Sequence, residues 1–247
     1  MSQKIALITG GMGGLGQAVV SRFHQAGYRI VVTTSPGNGG APTWVQAQRG
    51  QGMALSAYPV DVSNNEDCLA CVRRILAEVG PVDILVNNAG ITRDATLRKM
   101  SYADWDRVMR TNLDSIFNMT QPLLDGMIEK RWGRIINISS VNGQRGQVGQ
   151  TNYAASKAGM HGFTMSLALE VARYRITVNT ISPGYLATKM VLNMPPDILE
   201  TRIVPQIPLG RLGQPSEVAA LVAFLASEEA AYITGADFAI NGGLHMH

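Results

Sequence analysis

A tyrosine and a lysine four residues apart, Tyr153 and Lys157, carry the clearest chemical potential in this chain. Four residues of α-helix turn through about 400°, so the two side chains share one face. An ammonium beside a phenol favours the phenolate and lowers its pKa from about 10, which makes a proton donor usable near neutral pH. Upstream, Ser140 ends the run Arg134-Ile-Ile-Asn-Ile-Ser-Ser140, which reads as a buried strand. A hydroxyl there can hold a carbonyl oxygen facing the tyrosine. The same spacing also arises by chance on amphipathic helices with a solvated lysine. The pair gains meaning only with a dinucleotide site upstream.

Such a site is legible near the start. Thr9-Gly10-Gly-Met-Gly-Gly14-Leu-Gly16 follows the apolar run Ile5 to Ile8 and precedes a helix-like segment. Gly10 suits a tight turn off the strand, Gly14 lets backbone approach a pyrophosphate, and Gly16 lets helix and strand pack closely. The anion would sit on free N–H groups at the helix start, against Gly10, Met12, Gly13, Gly14, Leu15 and Gly16.

Taken together, the glycine loop, Asn87-Asn-Ala-Gly90, Asn112, Ser140 and Tyr153-x-x-x-Lys157 resemble the short-chain dehydrogenase/reductase family. The resemblance runs from Lys4 to the C-terminus. Four stretches are more specific: Asn87-Asn-Ala-Gly-Ile-Thr-Arg-Asp94, Ser139-Ser-Val-Asn-Gly143, Gly146-Gln-Val-Gly-Gln-Thr-Asn-Tyr153 and Asn241-Gly-Gly-Leu-His-Met246. They resemble the family's acetoacetyl-CoA reductases, which supply (R)-3-hydroxybutyryl-CoA for polyhydroxybutyrate synthesis. The resemblance implies a Rossmann fold, NADP(H) as cofactor, a short 3-oxoacyl-CoA substrate and a homotetramer. It assigns Tyr153 as general acid, Ser140 as the group holding the ketone oxygen, and Lys157 as bonding the nicotinamide ribose. It gives Asn112 a water that links the lysine to solvent.

The elements needed to position these groups follow from the pattern. Short, apolar, β-branched strands at 4–9, 29–34, 55–60, 83–87, 134–139, 176–181 and 236–240 alternate with helical segments near 15–26, 43–50, 65–79, 102–130, 152–173 and 215–227. The alternation predicts an α/β fold: a doubly wound, parallel, seven-stranded sheet with right-handed crossovers and helices on both faces. No linker or repeat divides residues 1–247, so one domain is expected. The proline-rich stretch 186–212 resembles the family's substrate lid.

Composition narrows the function. At 247 residues and 46% apolar, the chain suits one large domain. Its charge of +3 is spread along the sequence, which argues against nucleic-acid binding and suits a polyphosphate ligand. The start enters a strand at once, without a signal peptide, and no apolar run approaches the ~20 residues of a membrane span. A cytoplasmic location follows as an expectation. Cys68 and Cys71 fall in an interior-looking helix and read as reduced core thiols, since two ligands do not make a structural zinc site. No metal site is expected. Asn118-Met-Thr120 and Asn137-Ile-Ser139 match the glycosylation triplet only by chance.

Cofactor choice turns on the end of the second strand. An NAD-binding loop places an acid about 20 residues past the glycines. Here Thr34 and Ser35 stand there, and no carboxylate follows until Asp61. NADPH is permitted, with Ser35 and Asn38 as donors to the 2′-phosphate and Arg49 able to swing in. Asp61-Val62 reads equally well as an adenine contact and as a helix-start acid with a core valine. Asn88, Ala89, Gly90 and Ile91 end the fourth strand beside the cofactor. By resemblance, Pro183, Gly184 and Leu186 lie over the nicotinamide, and Thr188 contacts its carboxamide or the pyrophosphate. By the same resemblance, Asp94, Gln147, Val148, Gly149, Gln150, Gly184 and Tyr185 line the acyl-CoA entrance, where the two glutamines could grip substrate carbonyls. His161 continues the Tyr153/Lys157 face and reads as helix packing or a subunit contact. Trp44, Trp105 and Trp132 read as packing anchors. The tail Leu244-His-Met-His247 reaches a neighbouring subunit or frays.

Two rival functions remain at this level. A 3-oxoacyl-(acyl-carrier-protein) reductase shares the same chemistry. A non-catalytic NADPH-binding regulator would be expected to have lost the tyrosine or lysine, and neither is lost here.

Overall fold

A computed structural model describes residues 3–246. Seven strands form one parallel sheet: β1 Ile5–Ile8, β2 Arg29–Thr34, β3 Leu55–Pro59, β4 Ile84–Asn87, β5 Gly133–Ile138, β6 Ile176–Pro183 and β7 Asp237–Ile240. Their order is β3-β2-β1-β4-β5-β6-β7. The helices between them are α1 Gly14–Gln25, α2 Ala41–Gly50, α3 Asn65–Glu78, α4 Tyr102–Met109, α5 Ser115–Lys130, α6 Val141–Arg145, α7 Thr151–Val171, α8 Lys189–Leu192, α9 Pro196–Ile198 and α10 Pro215–Leu225.

The apolar strands hide a period of two. In β1, Ala6 and Ile8 face one core, with Val19, Val20 and Phe23 of α1 and Val218, Val222 and Leu225 of α10. Ile5 and Leu7 face the other core, with Val72 and Ile75 of α3, Met119 and Leu123 of α5 and Leu167 of α7. Both faces are buried, so both registers must be apolar. Each such side chain contributes roughly 2 kcal/mol of burial. Cys68 and Cys71 are free and sit in the second core. Burial pushes their thiols up to about 12 and about 11, which makes them poor nucleophiles. Asn118 and Asn137 are 5% and 0% exposed, closed to any glycosylating enzyme in the folded chain.

Three local features depart from the sequence pattern. The single helix expected over 102–130 is interrupted by a π-helical turn, Arg110–Asp114. A π turn widens the helix by one residue, and here it carries Asn112 toward Ile91. A short helix, α6, follows Ser140, outside the helical segments expected from the pattern. Trp105 is not enclosed; it lines an open apolar groove with Leu97, Met100 and Tyr102.

The stretch 186–212 is pinned at both ends. Leu186 bridges Gly213, and Leu209 N–H bonds the Gly242 carbonyl at 3.1 Å. Between these points lie α8, α9, a π turn at Leu199–Ile203 and a 3₁₀ turn at Val204–Gln206. Of the expected C-terminal tail, His247 lies outside the described residues.

Candidate active site

Strand order reverses at β1, which lies between β2 and β4. The crevice at the carboxyl ends of β1 and β4 is where such sheets bind ligands. The glycine loop fills this position. Gly10 has φ +64°, a left-handed conformation that glycine adopts freely. A Cβ on Gly16 would fall 2.5 Å from the Gly10 carbonyl, so α1 can approach the loop only without one. Gly11, which the spacing argument passed over, is equally constrained: its Cβ would meet Val32 at 2.4 Å. No side chain caps α1, which leaves its N-terminus to another acceptor. Thr188, from the 186–212 stretch, lies over the loop, its Cγ2 3.0 Å from where a Gly14 Cβ would stand. The loop therefore fits a pyrophosphate, the group a dinucleotide would place there.

Thr9 joins this loop to β4. Its hydroxyl accepts the N–H groups of Asn88 and Ala89, both at 2.9 Å, and the Asn88 amide donates to the Thr9 carbonyl at 2.9 Å. Thr9 had no signal of its own in the sequence, because its role depends on a strand 77 residues away in the chain. Gly90 sits beside Asn112 Oδ1 and Lys157 Nζ, 3.3 and 3.5 Å from where its Cβ would be.

The adenosine side differs from expectation at one point. Arg49 cannot swing toward a 2′-phosphate without breaking its 2.8 Å bond from Nε to the Leu55 carbonyl. Asp61 Oδ1 accepts from the Ser63 backbone and hydroxyl, and the residue is exposed at the carboxyl end of β3, while Val62 is buried in the core. Ser35 is exposed, and Asn38 holds the Gly40 N–H at 3.2 Å with Nδ2 turned to Met12 Sδ at 3.6 Å.

At the other end of the crevice, Ser140 N-caps α6: its Oγ accepts the Asn142 N–H at 3.1 Å. That bond occupies a lone pair and leaves the hydroxyl proton to donate. Ser140 stands near enough to the Tyr153 phenol to favour its ionised form. Lys157 Nζ lies 5.7 Å from the Tyr153 ring centre, so the helical spacing does bring the pair together. The electrostatics are not those expected from spacing. Burial dominates and pushes the Tyr153 phenol up; Ser140 pulls it down, and Asp94 pushes it up further. Lys157 is 4% exposed, bonded by Nζ to the Ile138 carbonyl at 2.7 Å, and burial lowers its pKa to about 7. The lysine is itself the perturbed group, because its ammonium is desolvated by the helix and strand that position it.

Asn112 is fully buried and its amide is committed: Oδ1 accepts the Ile91 N–H at 2.8 Å, and Nδ2 donates to the Ile91 carbonyl at 3.0 Å and to Ser156 Oγ at 3.2 Å. The side chain fixes the end of β4 against α7. His161, one turn beyond Lys157, also braces the site. Its Nε2 lies 3.0 Å from Ser139 Oγ and 3.5 Å from Asp237 Oδ2, and Ser139 Oγ donates to the Lys157 carbonyl at 2.9 Å.

On the expected substrate side, Gln150 Nε2 donates to Asp94 Oδ2 and Gln150 Oε1 accepts from Asn142 Nδ2, both at 2.8 Å. Gln150 is thus engaged at both ends rather than extended as a free grip. Gly149, at φ +82°, accepts the Ala95 N–H at 2.9 Å, while Gln147 and Val148 are exposed. Gly184 has a packing reason to lack a side chain, since its Cβ would fall 2.8 Å from Asn241 Cα. Pro183 is buried at the end of β6. Tyr185 and Leu186 line a cleft with Ile207 and Leu209.

The arrangement can bind a dinucleotide, hold a carbonyl oxygen between a serine O–H and a phenol O–H, and protonate it. The short chain dehydrogenase family pattern matches residues 4–198. The chain is 51% identical over 246 residues to an acetoacetyl-CoA reductase of Cupriavidus necator, covering 100% of both chains. It is 51% identical over 245 residues to an acetoacetyl-CoA reductase of Allochromatium vinosum, covering 99% of both. A 3-oxoacyl-(acyl-carrier-protein) reductase of Vibrio cholerae is 47% identical over 244 residues, covering 98% of both. With the fold, the crevice and these likenesses in agreement, the chain belongs to the short-chain dehydrogenase/reductase family.

Proposed function

We propose that this protein reduces acetoacetyl-CoA to (R)-3-hydroxybutyryl-CoA with NADPH. The observation that carries the reading is 51% identity along the whole chain to acetoacetyl-CoA reductases, against 47% and 44% to the carrier-protein reductases. When bound, the nicotinamide supplies the hydride. Ser140 donates its O–H to the ketone oxygen, the direction left open by the Asn142 N–H on its lone pair. Tyr153, kept protonated by burial, gives its proton to the oxygen as charge develops there. Lys157, poised near neutrality, stabilises the resulting tyrosinate and resupplies its proton. Asn112 keeps the end of β4 in register with this helix.

The glycine loop and the N-terminus of α1 hold the pyrophosphate. Ser35, Asn38 and the backbone at Met12 and Gly13 take the 2′-phosphate through uncharged donors. No acid between Arg29 and Val60 repels it. The NADPH preference is therefore modest, and a lower Michaelis constant for NADH than for NADPH would overturn it. Residues 186–212 form a lid over the substrate, hinged at the pinned ends described above.

Apolar side chains exposed on α5 and α7, Phe117, Met165 and Leu169, support a homotetramer. Among the described residues no helix is long and apolar enough to cross a membrane, in keeping with a cytoplasmic role in polyhydroxybutyrate synthesis. The test is oxidation of NADPH with acetoacetyl-CoA and with acetoacetyl-carrier protein, followed by the handedness of the product. A higher kcat/KM on the carrier-protein thioester, or an (S) product, would refute the assignment.

A further inference from the structure

The contacts of His161 extend beyond Ser139 and Asp237. Its Nε2 faces three oxygens: Ser139 Oγ at 3.0 Å, Ser182 Oγ at 3.4 Å and Asp237 Oδ2 at 3.5 Å. They come from the end of β5, from β6 and from β7, and α6 joins them through Gln144 Nε2, which donates to Asp237 Oδ2 at 2.7 Å. Serine, histidine and aspartate together invite a nucleophilic reading. The geometry excludes it, because the acid and both hydroxyls meet the same ring nitrogen and both serines are buried.

Counting protons fixes the direction of each bond. A hydroxyl has one to give. The Lys157 carbonyl only accepts, so Ser139 gives its proton there, at 2.9 Å. The Asp237 carboxylate only accepts, so Ser182 gives its proton to Oδ1, at 2.7 Å. Both hydroxyls are left with lone pairs toward the ring. His161 Nε2 must therefore carry a hydrogen, in the neutral imidazole as in the imidazolium. Turning the ring over would set a carbon against three acceptors. Ser139 is thus held from two sides, and Lys157 is gripped at two points by neighbouring residues: its carbonyl by Ser139, its ammonium by the Ile138 carbonyl at 2.7 Å. α6 closes on the same backbone, since a Gly143 Cβ would fall 2.9 Å from the Lys157 carbonyl carbon. Ser140 is the next residue after Ser139, so both reacting-site side chains are referred to this one hydroxyl.

We propose that His161, aimed by Asp237, is a positioning residue for the reduction: its Nε2–H fixes the Ser139 hydroxyl, which sets Lys157 against the end of β5. The inference rests on the ketone-reduction reading above and deepens it. It gives His161 a part in the chemistry, where helical spacing suggested packing or a subunit contact.

Two measurements test it on the full chain. The first is the long-range proton–nitrogen NMR spectrum of the histidine rings, in which the His161 signals are those lost in His161→Gln. A ring protonated at Nε2 is expected; a neutral ring protonated at Nδ1 alone overturns the proposal. The second is turnover of acetoacetyl-CoA with NADPH. His161→Leu should lower kcat by ~10- to 100-fold, the effect of slightly misplaced catalytic groups, and leave KM for the thioester within about 2-fold. His161→Gln, which offers an amide N–H in place of Nε2–H, should recover most of the loss. Ser139→Ala should match His161→Leu, and the double variant should be no slower than either, because both act through one hydroxyl. Normal kcat in His161→Leu, equal losses in the Leu and Gln variants, losses that multiply in the double variant, or an effect confined to KM would each overturn the role. If His161→Leu does not fold, the ring spectrum and the kcat values of His161→Gln and Ser139→Ala decide: near-normal turnover in Ser139→Ala overturns the role. A wild type that leaves acetoacetyl-CoA unreduced sinks the functional reading and this role with it.

Discussion

Lys157→Met should make the free protein more stable at neutral pH while removing its activity. Burial lowers the folded-state pKa of Lys157 from 10.5 to about 7. The unfolded chain therefore binds this proton more tightly, and stability rises with pH between those two values. Below the folded pKa the penalty is complete; above the unfolded pKa it vanishes. At 1.36 kcal/mol per pKa unit, the buried ammonium costs about 4 kcal/mol at pH 7 and about 2 kcal/mol at pH 9. The substitution also strips the Ile138 carbonyl of its donor, a loss of about 1–3 kcal/mol that hardly varies with pH. The net gain for Lys157→Met is about 1–3 kcal/mol at pH 7, and the gap between the two proteins should shrink by about 2 kcal/mol by pH 9. Urea unfolding at pH 7, 8 and 9, at one protein concentration and without cofactor, measures both quantities. Every other titrating group cancels in the difference. A gap that stays flat across this range would show that the ammonium keeps an ordinary pKa, and the reasoning from desolvation would fail.

Three further outcomes are expected. Tyr153→Phe should lose turnover by at least ~100-fold while NADPH still binds, measured by fluorescence titration; near-normal turnover would remove the phenol from its role as acid. Gly11→Ala should destabilise the fold by about 1–3 kcal/mol and weaken cofactor binding, because its Cβ meets Val32 at 2.4 Å; unchanged affinity and melting temperature would mean that Val32 yields freely. Leu169→Glu, at a position 84% exposed in the single chain, should break the proposed homotetramer into smaller species on size-exclusion chromatography with light scattering. An intact tetramer would exclude this face from the interface.

Much of the architecture was legible because its signals are local. Alternating apolar runs and helical segments announce a parallel sheet covered on both faces, and Tyr153 and Lys157 meet because helix geometry requires it. Gly10 and Gly16 were readable as a turn and a close approach. Other features depend on what lies opposite a residue once the chain has folded. Gly11 matters because Val32 stands against it, and Thr9 because β4 ends beside it. The π turn that presents Asn112 to Ile91 leaves no periodic trace, since it shifts the helix by only one residue. Spacing put Lys157 beside Tyr153 but could not give the direction of influence: the surrounding helix and strand exclude water, and that desolvation lowers the lysine more than the lysine can lower the phenol. His161 is the plainest case, an imidazole whose proton is placed by Ser139, Ser182 and Asp237, three residues that only the folded chain brings together.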